Sequence, residues 1–257
     1  LNLQGVNVLI NIFFGVIANS ARGIASQVEA AVNQLVLTFS TAVNPQITKS
    51  YALGDKDRMF YLICKGAKFA YFLLLIFALP LIFEADAVLK IWLVDVPENS
   101  AMFMRLSIVG SMITILGNSG YTACLATGNI RNYSIVITAI GSLNFFLTWA
   151  LYKMGCSVQI TYYVYIAVYA IIQIVRLFLM KGMLGFPVMM FVKEVLWKIF
   201  VPTVSAIVLP FILSRVMDPS FGRLVLVCIS SVIWSVFCIY MFGLSKGEKS
   251  VIYEKCR

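Results

Sequence analysis

The feature that most constrains this chain is a recurring length: stretches of roughly 20 mostly apolar residues, separated by short polar segments. A bilayer core requires about 20 such residues per helix. Hydrophobic residues make up 61% of the 257 residues and charged residues 12%, whereas a soluble domain has about 25% charged residues. So few charges cannot cover a surface that faces water. The apolar excess is therefore expected to face lipid.

We predict an all-α integral membrane protein of about eight transmembrane helices, with no soluble domain large enough for an ordinary active site. The predicted spans, called A to H, cover about residues 3–19, 22–46, 59–83, 99–127, 132–152, 160–180, 195–214 and 222–243. The longest connection runs from Glu84 to Glu98 and mixes charged with apolar residues. It predicts a short amphipathic segment at one membrane surface.

Lysine and arginine are divided unequally between the two ends of these spans. One end has 14 of the 20: Lys49, Lys56, Arg58, Lys65, Lys68, Arg131, Arg176, Lys181, Lys193, Lys198, Lys246, Lys249, Lys255 and Arg257. We call this the basic end, and the other, with 6, the opposite end. Acidic residues divide evenly, so the positive-inside rule predicts a cytoplasmic basic end and tail. The net charge of +9 then indicates contact with anionic lipid rather than nucleic acid.

Several kinds of chemistry are excluded or disfavoured. The chain has no histidine, which excludes Ser-His and Cys-His catalysis and imidazole metal sites within it. The 6 cysteines are scattered without a C-x-x-C pair, so neither a disulfide framework nor a zinc site is expected. We predict that the protein is not an enzyme and has no cofactor or metal.

Helix B is the least apolar span and has a polar stripe about 60° wide. The stripe consists of Arg22, Ser26, Glu29, Asn33, Ser40 and Asn44, and a weaker second face has Gln27, Gln34, Thr38 and Thr41. Polar groups inside a membrane usually face protein or water, so helix B must line an aqueous cavity or lie at the centre of a bundle. Glu29 is a candidate coupling site for a proton or sodium ion, and the alternative is a buried structural ion pair.

Other spans have weaker polar stripes. Helix A has Gln4, Asn7 and Asn11, helix D has Ser107, Ser111, Thr114, Asn118 and Thr122, and helix E has Ser134, Thr138 and Ser142. Such residues either line a cavity or only permit close helix packing, and both interpretations stay open. Helices G and H lack a stripe and are expected to be peripheral. Lys65 and Lys68 are expected to extend toward the membrane surface. Pro45 is the best hinge candidate.

Four segments together resemble a known family. They are NIFFGVIANSARGIASQV (11–28), NPQITKSYALGD (44–55), LPLIFEADAVLKIWLVDVPE (79–98) and ATGNIRNY (126–133). They resemble the polysaccharide flippases of the MOP exporter superfamily, the Wzx-like exporters of O-antigen and oligosaccharide, of the type found in Bacteroidota. The resemblance implies transport of undecaprenyl-diphosphate-linked oligosaccharide across the inner membrane, by alternating access of two six-helix bundles.

The resemblance also implies a domain organisation. Residues 1–183 would form the second six-helix bundle, 184–243 two additional peripheral helices, and 244–257 a cytoplasmic tail. Because the chain begins with Leu1 rather than Met, we expect a C-terminal fragment whose first bundle is missing. The expected partners are lipid-linked oligosaccharide, membrane lipids and that missing N-terminal half.

Within this family, the resemblance places Arg22 in the substrate cavity, where it would attract the diphosphate, with Asn11, Asn33 and Lys49 as further candidates. The polar stripes add the remaining members of the expected cavity set: Glu29, Asn7, Asn44 and Asn118. Two alternatives stay open. One is a multidrug exporter of the same superfamily, which takes cationic substrates, and the other is a membrane polysaccharide polymerase, ligase or acyltransferase.

Overall fold

The computed structural model describes the backbone of residues 2–255 and the side chains of residues 4–250, and within that range it is helical without strands. The helices are α1 (Asn2–Ala52), α2 (Lys56–Phe83), α3 (Ala85–Trp92), α4 (Ser100–Thr114), α5 (Asn118–Ala126), α6 (Arg131–Lys153), α7 (Ile160–Leu184), α8 (Val188–Phe191), α9 (Trp197–Val216), α10 (Phe221–Cys238) and α11 (Lys246–Lys255). A 3₁₀ turn joins α4 to α5, and a π-helical turn joins α8 to α9. The prediction of an all-α multi-pass membrane protein is confirmed, because seven helical segments in the described range are long and apolar enough to span a membrane.

The predicted boundary between helices A and B is wrong. Residues 19–22 are helical, and α1 is interrupted instead at Gly15, whose φ of 81° and ψ of −176° lie outside the helical region. We call residues 2–14 the first arm of α1 and residues 16–52 its second arm. Asn7 and Glu29 line the same cavity, although a straight helix would place them about 33 Å apart. The two arms are therefore sharply bent toward each other.

Helix B was also predicted to end too early. The second arm continues through Pro45 to Ala52 with helical backbone angles, so the interruption of α1 lies at Gly15 rather than at the predicted hinge. Gly54, at a φ of 71°, makes the turn after Ala52. Asp55 then caps α2, because its Oδ1 accepts a hydrogen bond from the backbone N–H of Arg58 at 3.1 Å.

Helix α2 lies at the centre of the molecule. It packs against α1, α4 and α5 on one side and against α9 and α10 on the other. Its buried face is apolar and includes Met59, Ile63, Leu74 and Leu75. The pair α9 and α10 therefore joins the bundle mainly through α2. The predicted amphipathic segment is α3, which exposes Trp92 at the opposite end of the bundle.

Lys68 and Arg176, both assigned to the basic end, lie deeper in the protein than expected. Lys68 does not extend toward the surface: it is 2% exposed, and its Nζ donates to both carboxylate oxygens of Glu248 at 2.7 Å. Lys65 lies 4.0 Å from the same carboxylate. Arg176 is placed within α7, about 12 Å before the helix ends at Leu184. The tail helix α11 is thus joined to the central helix by a buried ion pair.

This ion pair predicts acid sensitivity of the tail. Burial would raise the pKa of Glu248, but hydrogen bonds from Lys68 and from Ser245 outweigh burial and hold the pKa below its usual 4.5. Because its pKa is lower in the folded than in the unfolded state, the ionised Glu248 stabilises the fold fully at pH values above the unfolded-state pKa. This stabilisation is lost as pH falls through the folded-state pKa. We expect Glu248→Gln to lower the melting temperature at neutral pH, with the difference from wild type vanishing in acid.

Glu194→Gln is the matched control, because Glu194 pairs with Lys198 at a far more exposed position and such pairs contribute little. Thermal melting of the detergent-purified protein from pH 7 down to pH 3 measures both variants. A difference between Glu248→Gln and wild type that stays constant over this range would contradict the assigned role.

Candidate binding cavity

A polar cavity of about 300 Å³ lies between the two arms of α1 and the helices α6 and α7. Its lining residues are Asn7, Asn19, Arg22, Gly23, Ser26, Glu29, Asn144, Thr161, Tyr162, Tyr165 and Tyr169. The bend at Gly15 creates this cavity, because it brings Asn7 of the first arm opposite the polar face of the second. A polar chamber inside an apolar bundle is the usual setting of an intramembrane binding site.

Arg22 is the cationic residue of the cavity. Its guanidinium carbon lies 6.0 Å from the centre of the Tyr162 ring, a distance that allows a cation–π interaction. Among the described residues no carboxylate lies within 4.0 Å of it. The guanidinium therefore keeps its hydrogen-bond donors available to a ligand.

Glu29 is engaged with neighbouring side chains. The hydroxyl of Ser111 donates to Glu29 Oε1 at 2.8 Å, and the Nδ2 of Asn33 donates to the oxygen of Ser111 at 3.0 Å. These two hydrogen bonds join α1 to α4. The carboxylate is thus turned toward α4, and Arg22 and Glu29, although two turns apart on one face, do not form an ion pair.

Helix α7 contributes a row of tyrosines that the sequence analysis missed. Tyr162, Tyr165 and Tyr169 all line the cavity. The ring of Tyr165 packs on Gly110 of α4, where an added Cβ would lie 2.3 Å from its Cε1. Their spacing of three and four residues places them on one helix face, and this periodicity was the available signal.

The structure brings three of the eight predicted cavity residues together: Asn7, Arg22 and Glu29 line the cavity. Asn33 does not line it, but bonds to Ser111, which bonds to Glu29. Of the polar stripe on predicted helix D, Ser111 is the member whose side chain bonds to α1 within the described residues. No member of this stripe is among the residues that line the cavity, which favours the packing interpretation.

The other four predicted residues lie elsewhere in the described structure. Asn11 is exposed on the first arm, and Lys49 is exposed in the last turn of α1 at the basic end. Asn44 has a buried side-chain oxygen without a hydrogen bond. Asn118 begins α5, and its backbone oxygen accepts from Thr122. None of the four is among the residues that line the cavity.

The second arm of α1 also leaves a polar face uncovered. Gln27, Gln34, Thr38 and Thr41 are exposed along this helix. The two threonine hydroxyls bond to the backbone of their own helix, whereas the glutamine amides have no hydrogen bond in the described part of the chain. Such a face is costly in contact with lipid. It is suited to contact with water or with another protein surface.

Comparison with known proteins adds no assignment: no protein-family model, no curated protein and no solved structure matches the chain. The membrane-spanning fold stands on the seven long apolar helical segments of the described residues. What the cavity binds therefore has to be argued from its lining residues.

Proposed function

We propose that the chain is one polar-lined half of a membrane transporter that flips undecaprenyl-diphosphate-linked oligosaccharide across the bacterial inner membrane for surface polysaccharide synthesis. The observation that carries this proposal is the state of the two cavity charges. Glu29 already accepts a hydrogen bond from Ser111, whereas Arg22 has no carboxylate partner in the described structure. The cavity thus offers a free cation, which suits an anionic diphosphate.

The composition of the cavity also suits the sugar part of such a substrate. Asn7, Asn19 and Asn144 line it together with three tyrosines. Amides and phenols can both donate and accept hydrogen bonds, as a sugar requires, and aromatic rings provide flat faces for its C–H groups. No group placed here has to perform bond chemistry, so the proposal is transport and not catalysis.

The uncovered polar face of α1 supports a second bundle. Gln27, Gln34, Thr38 and Thr41 run along the membrane-spanning part of the second arm, where lipid would leave the two glutamine amides unsatisfied. A second six-helix bundle on this face would cover them. Rocking of the two halves about the cavity then gives alternating access.

The proposal includes an orientation. The end of the bundle with Lys49, Lys56, Lys181 and Lys246 would face the cytoplasm, as the positive-inside rule requires. The tail helix α11 would then lie on the cytoplasmic side. Glu29, near the middle of the second arm, would carry a coupling proton or sodium ion between the two sides.

A multidrug exporter is the second candidate, and a specific observation favours it. Glu29 on α1 and three tyrosines on α7 are among the lining residues of the cavity, and carboxylates and aromatic faces both attract organic cations. The two candidates differ in which charged residue binds substrate. A flippase depends on Arg22, whereas an exporter of cations depends on Glu29 and tolerates loss of Arg22.

Arg22→Ala tests the proposal. In the whole protein, expressed from its own locus, we expect this variant to lower surface polysaccharide by about tenfold or more, since it removes charge-assisted hydrogen bonds to the diphosphate. Arg22→Lys should retain part of the export because it keeps the charge. Surface polysaccharide is measured by immunoblotting and normalised to the amount of protein in the membrane.

Arg215→Ala is the matched control, because Arg215 is exposed on α9 and contacts Phe211 outside the cavity. It should export at the wild-type rate. Wild-type export by Arg22→Ala at equal protein level would remove the assigned role of Arg22. If that result were accompanied by loss of resistance to cationic drugs in Glu29→Gln, the exporter candidate would replace the flippase.

A further inference from the structure

The tyrosine row of α7 continues beyond the cavity toward the basic end. At steps of three, four, four and three residues, one helix face has Tyr162, Tyr165, Tyr169, Gln173 and Arg176. This polar stripe is about 21 Å long. Arg22 lies beside Tyr162 at one end, and Arg176 forms the other end. The stripe therefore joins two cations along a single helix.

Arg176 is held in place by groups of α4 and α7. Its Nη1 donates to Gln173 Oε1 at 3.2 Å, and Gln173 Nε2 donates to the backbone oxygen of Thr114 at 3.3 Å. The guanidinium occupies the space beside Gly117, where a Cβ would lie 1.3 Å from Nη1. Gly117 belongs to the 3₁₀ turn Ile115–Gly117 that interrupts the span. Arg176 can occupy this position only because residue 117 is a glycine.

The charge of Arg176 lacks a counterion in the described structure. No carboxylate there lies within 4.0 Å of it, and its Nε is buried without a hydrogen bond. The hydroxyl of Tyr133 is buried beside it. An unpaired cation about 12 Å inside a membrane helix is costly. Its positioning by a dedicated network indicates that an anion occupies this place during function.

The space beside Arg176 is apolar. A cavity of about 250 Å³ lies between α5, α7 and the segment that leads into α9. Besides Arg176 and Gln173, it is lined by residues such as Leu177, Met180 and Leu196. A ligand that fits both the Arg176 guanidinium and the apolar cavity has one anionic group and a hydrocarbon chain.

We propose that Arg176 and this cavity form a second site for the diphosphate lipid, with a phosphate at the guanidinium and the first isoprenyl units in the apolar cavity. The identity of the lipid rests on the proposed function. The tyrosine row favours the transported lipid over a resident phospholipid, because Arg176 and the tyrosines of the Arg22 cavity lie on the same face of α7. The lipid would thus pass from one cation to the other along α7.

Calorimetric titration of the whole protein in detergent with farnesyl diphosphate tests this inference. We expect two binding sites in the wild type, one in Arg176→Gln and one in Arg22→Gln. Arg176→Lys should retain the second site with about tenfold weaker affinity, since one cation replaces a fork of donors. Gly117→Ala should weaken this site similarly, because the new methyl group displaces the guanidinium.

Arg131→Gln is the control, because Arg131 is exposed at the basic end and should leave two sites. Melting of each ligand-free variant separates loss of binding from loss of fold, and Arg176→Lys covers the case in which Arg176→Gln fails to fold.

A single wild-type site, lost in Arg22→Gln and unchanged in Arg176→Gln, would overturn this inference and leave the proposed function intact. Two sites, of which Arg22→Gln removes neither, would support Arg176 and count against the role of Arg22. Displacement of farnesyl diphosphate from Arg176 by equimolar phosphatidylglycerol would overturn the assignment to the transported lipid.

Discussion

Replacing Arg223 by methionine is expected to destabilise the protein by about 3–5 kcal/mol, because it leaves a buried carboxylate without its partner. Glu84 is 1% exposed. Its Oε2 accepts a hydrogen bond from Arg223 Nη2 at 3.0 Å, and its Oε1 lies 3.0 Å from Arg223 Nε. Arg223 Nη1 also donates to the backbone oxygen of Met217 at 3.1 Å. The pair joins the start of α10 to the junction of α2 and α3.

Unfolding of the detergent-purified protein, followed by circular dichroism, measures this effect. Arg105→Met is the matched control: Arg105 pairs with Asp86, whose side chain is 67% exposed, and exposed pairs contribute about 0–1 kcal/mol. The double variant Glu84→Leu with Arg223→Met should recover most of the loss, since it removes both buried charges. An equal loss of unfolding free energy in Arg223→Met and Arg105→Met would contradict this prediction, because it would show that the Glu84 carboxylate is solvated.

Gly15→Ala is expected to destabilise the protein by about 1–3 kcal/mol, because residue 15 has backbone angles that only glycine adopts readily. At φ 81° and ψ −176°, an alanine Cβ would meet no atom within 4 Å. The cost therefore comes from the backbone and not from a collision. Relief of this strain by straightening α1 would separate its two arms and open the cavity between them.

Gly182→Ala provides the control of opposite sign. Gly182 is exposed within α7, also has no atom within 4 Å of an added Cβ, and has no positive φ. Alanine in such a helical position is favoured over glycine by about 0.5–1 kcal/mol. We therefore expect Gly182→Ala to be neutral or stabilising in the same unfolding assay. If Gly15→Ala behaved like Gly182→Ala, the backbone at residue 15 would be helical and the bend of α1 would be absent.

Helical periodicity predicted some of the cavity residues but not the extent of the cavity. The polar stripe of the second arm predicted Arg22 and Glu29 on one inward face, and the structure places both in one cavity. The same pattern could not separate Asn44, which belongs to the stripe but lies about four turns beyond Glu29 toward the basic end, outside the cavity lining. A periodicity defines a face of a helix, whereas the extent of a cavity along that face depends on which neighbouring helices stop short of it.

The bend at Gly15 could not be located from local sequence. The chain has 16 glycines, and most of them lack a positive φ. The unusual angles at residue 15 accompany contacts of the first arm with α6, where Phe13 and Phe14 pack on Tyr152. Those aromatic contacts join residues far apart in sequence, so no window around residue 15 contains them.

By itself, the sequence determined the membrane-spanning class, the positions of most helix ends and the inward face of the second arm, because hydropathy, capping and helical periodicity act within about 20 residues. Only the tertiary structure decided where α1 bends and that the tyrosines of α7 join its polar face. It alone also paired Glu84 with Arg223 and Lys68 with Glu248. The physical reason is that lipid and protein interiors are equally apolar, so hydrophobicity places a helix in the membrane but does not choose its neighbours. That choice rests on close packing and on polar contacts between residues that are distant in the chain.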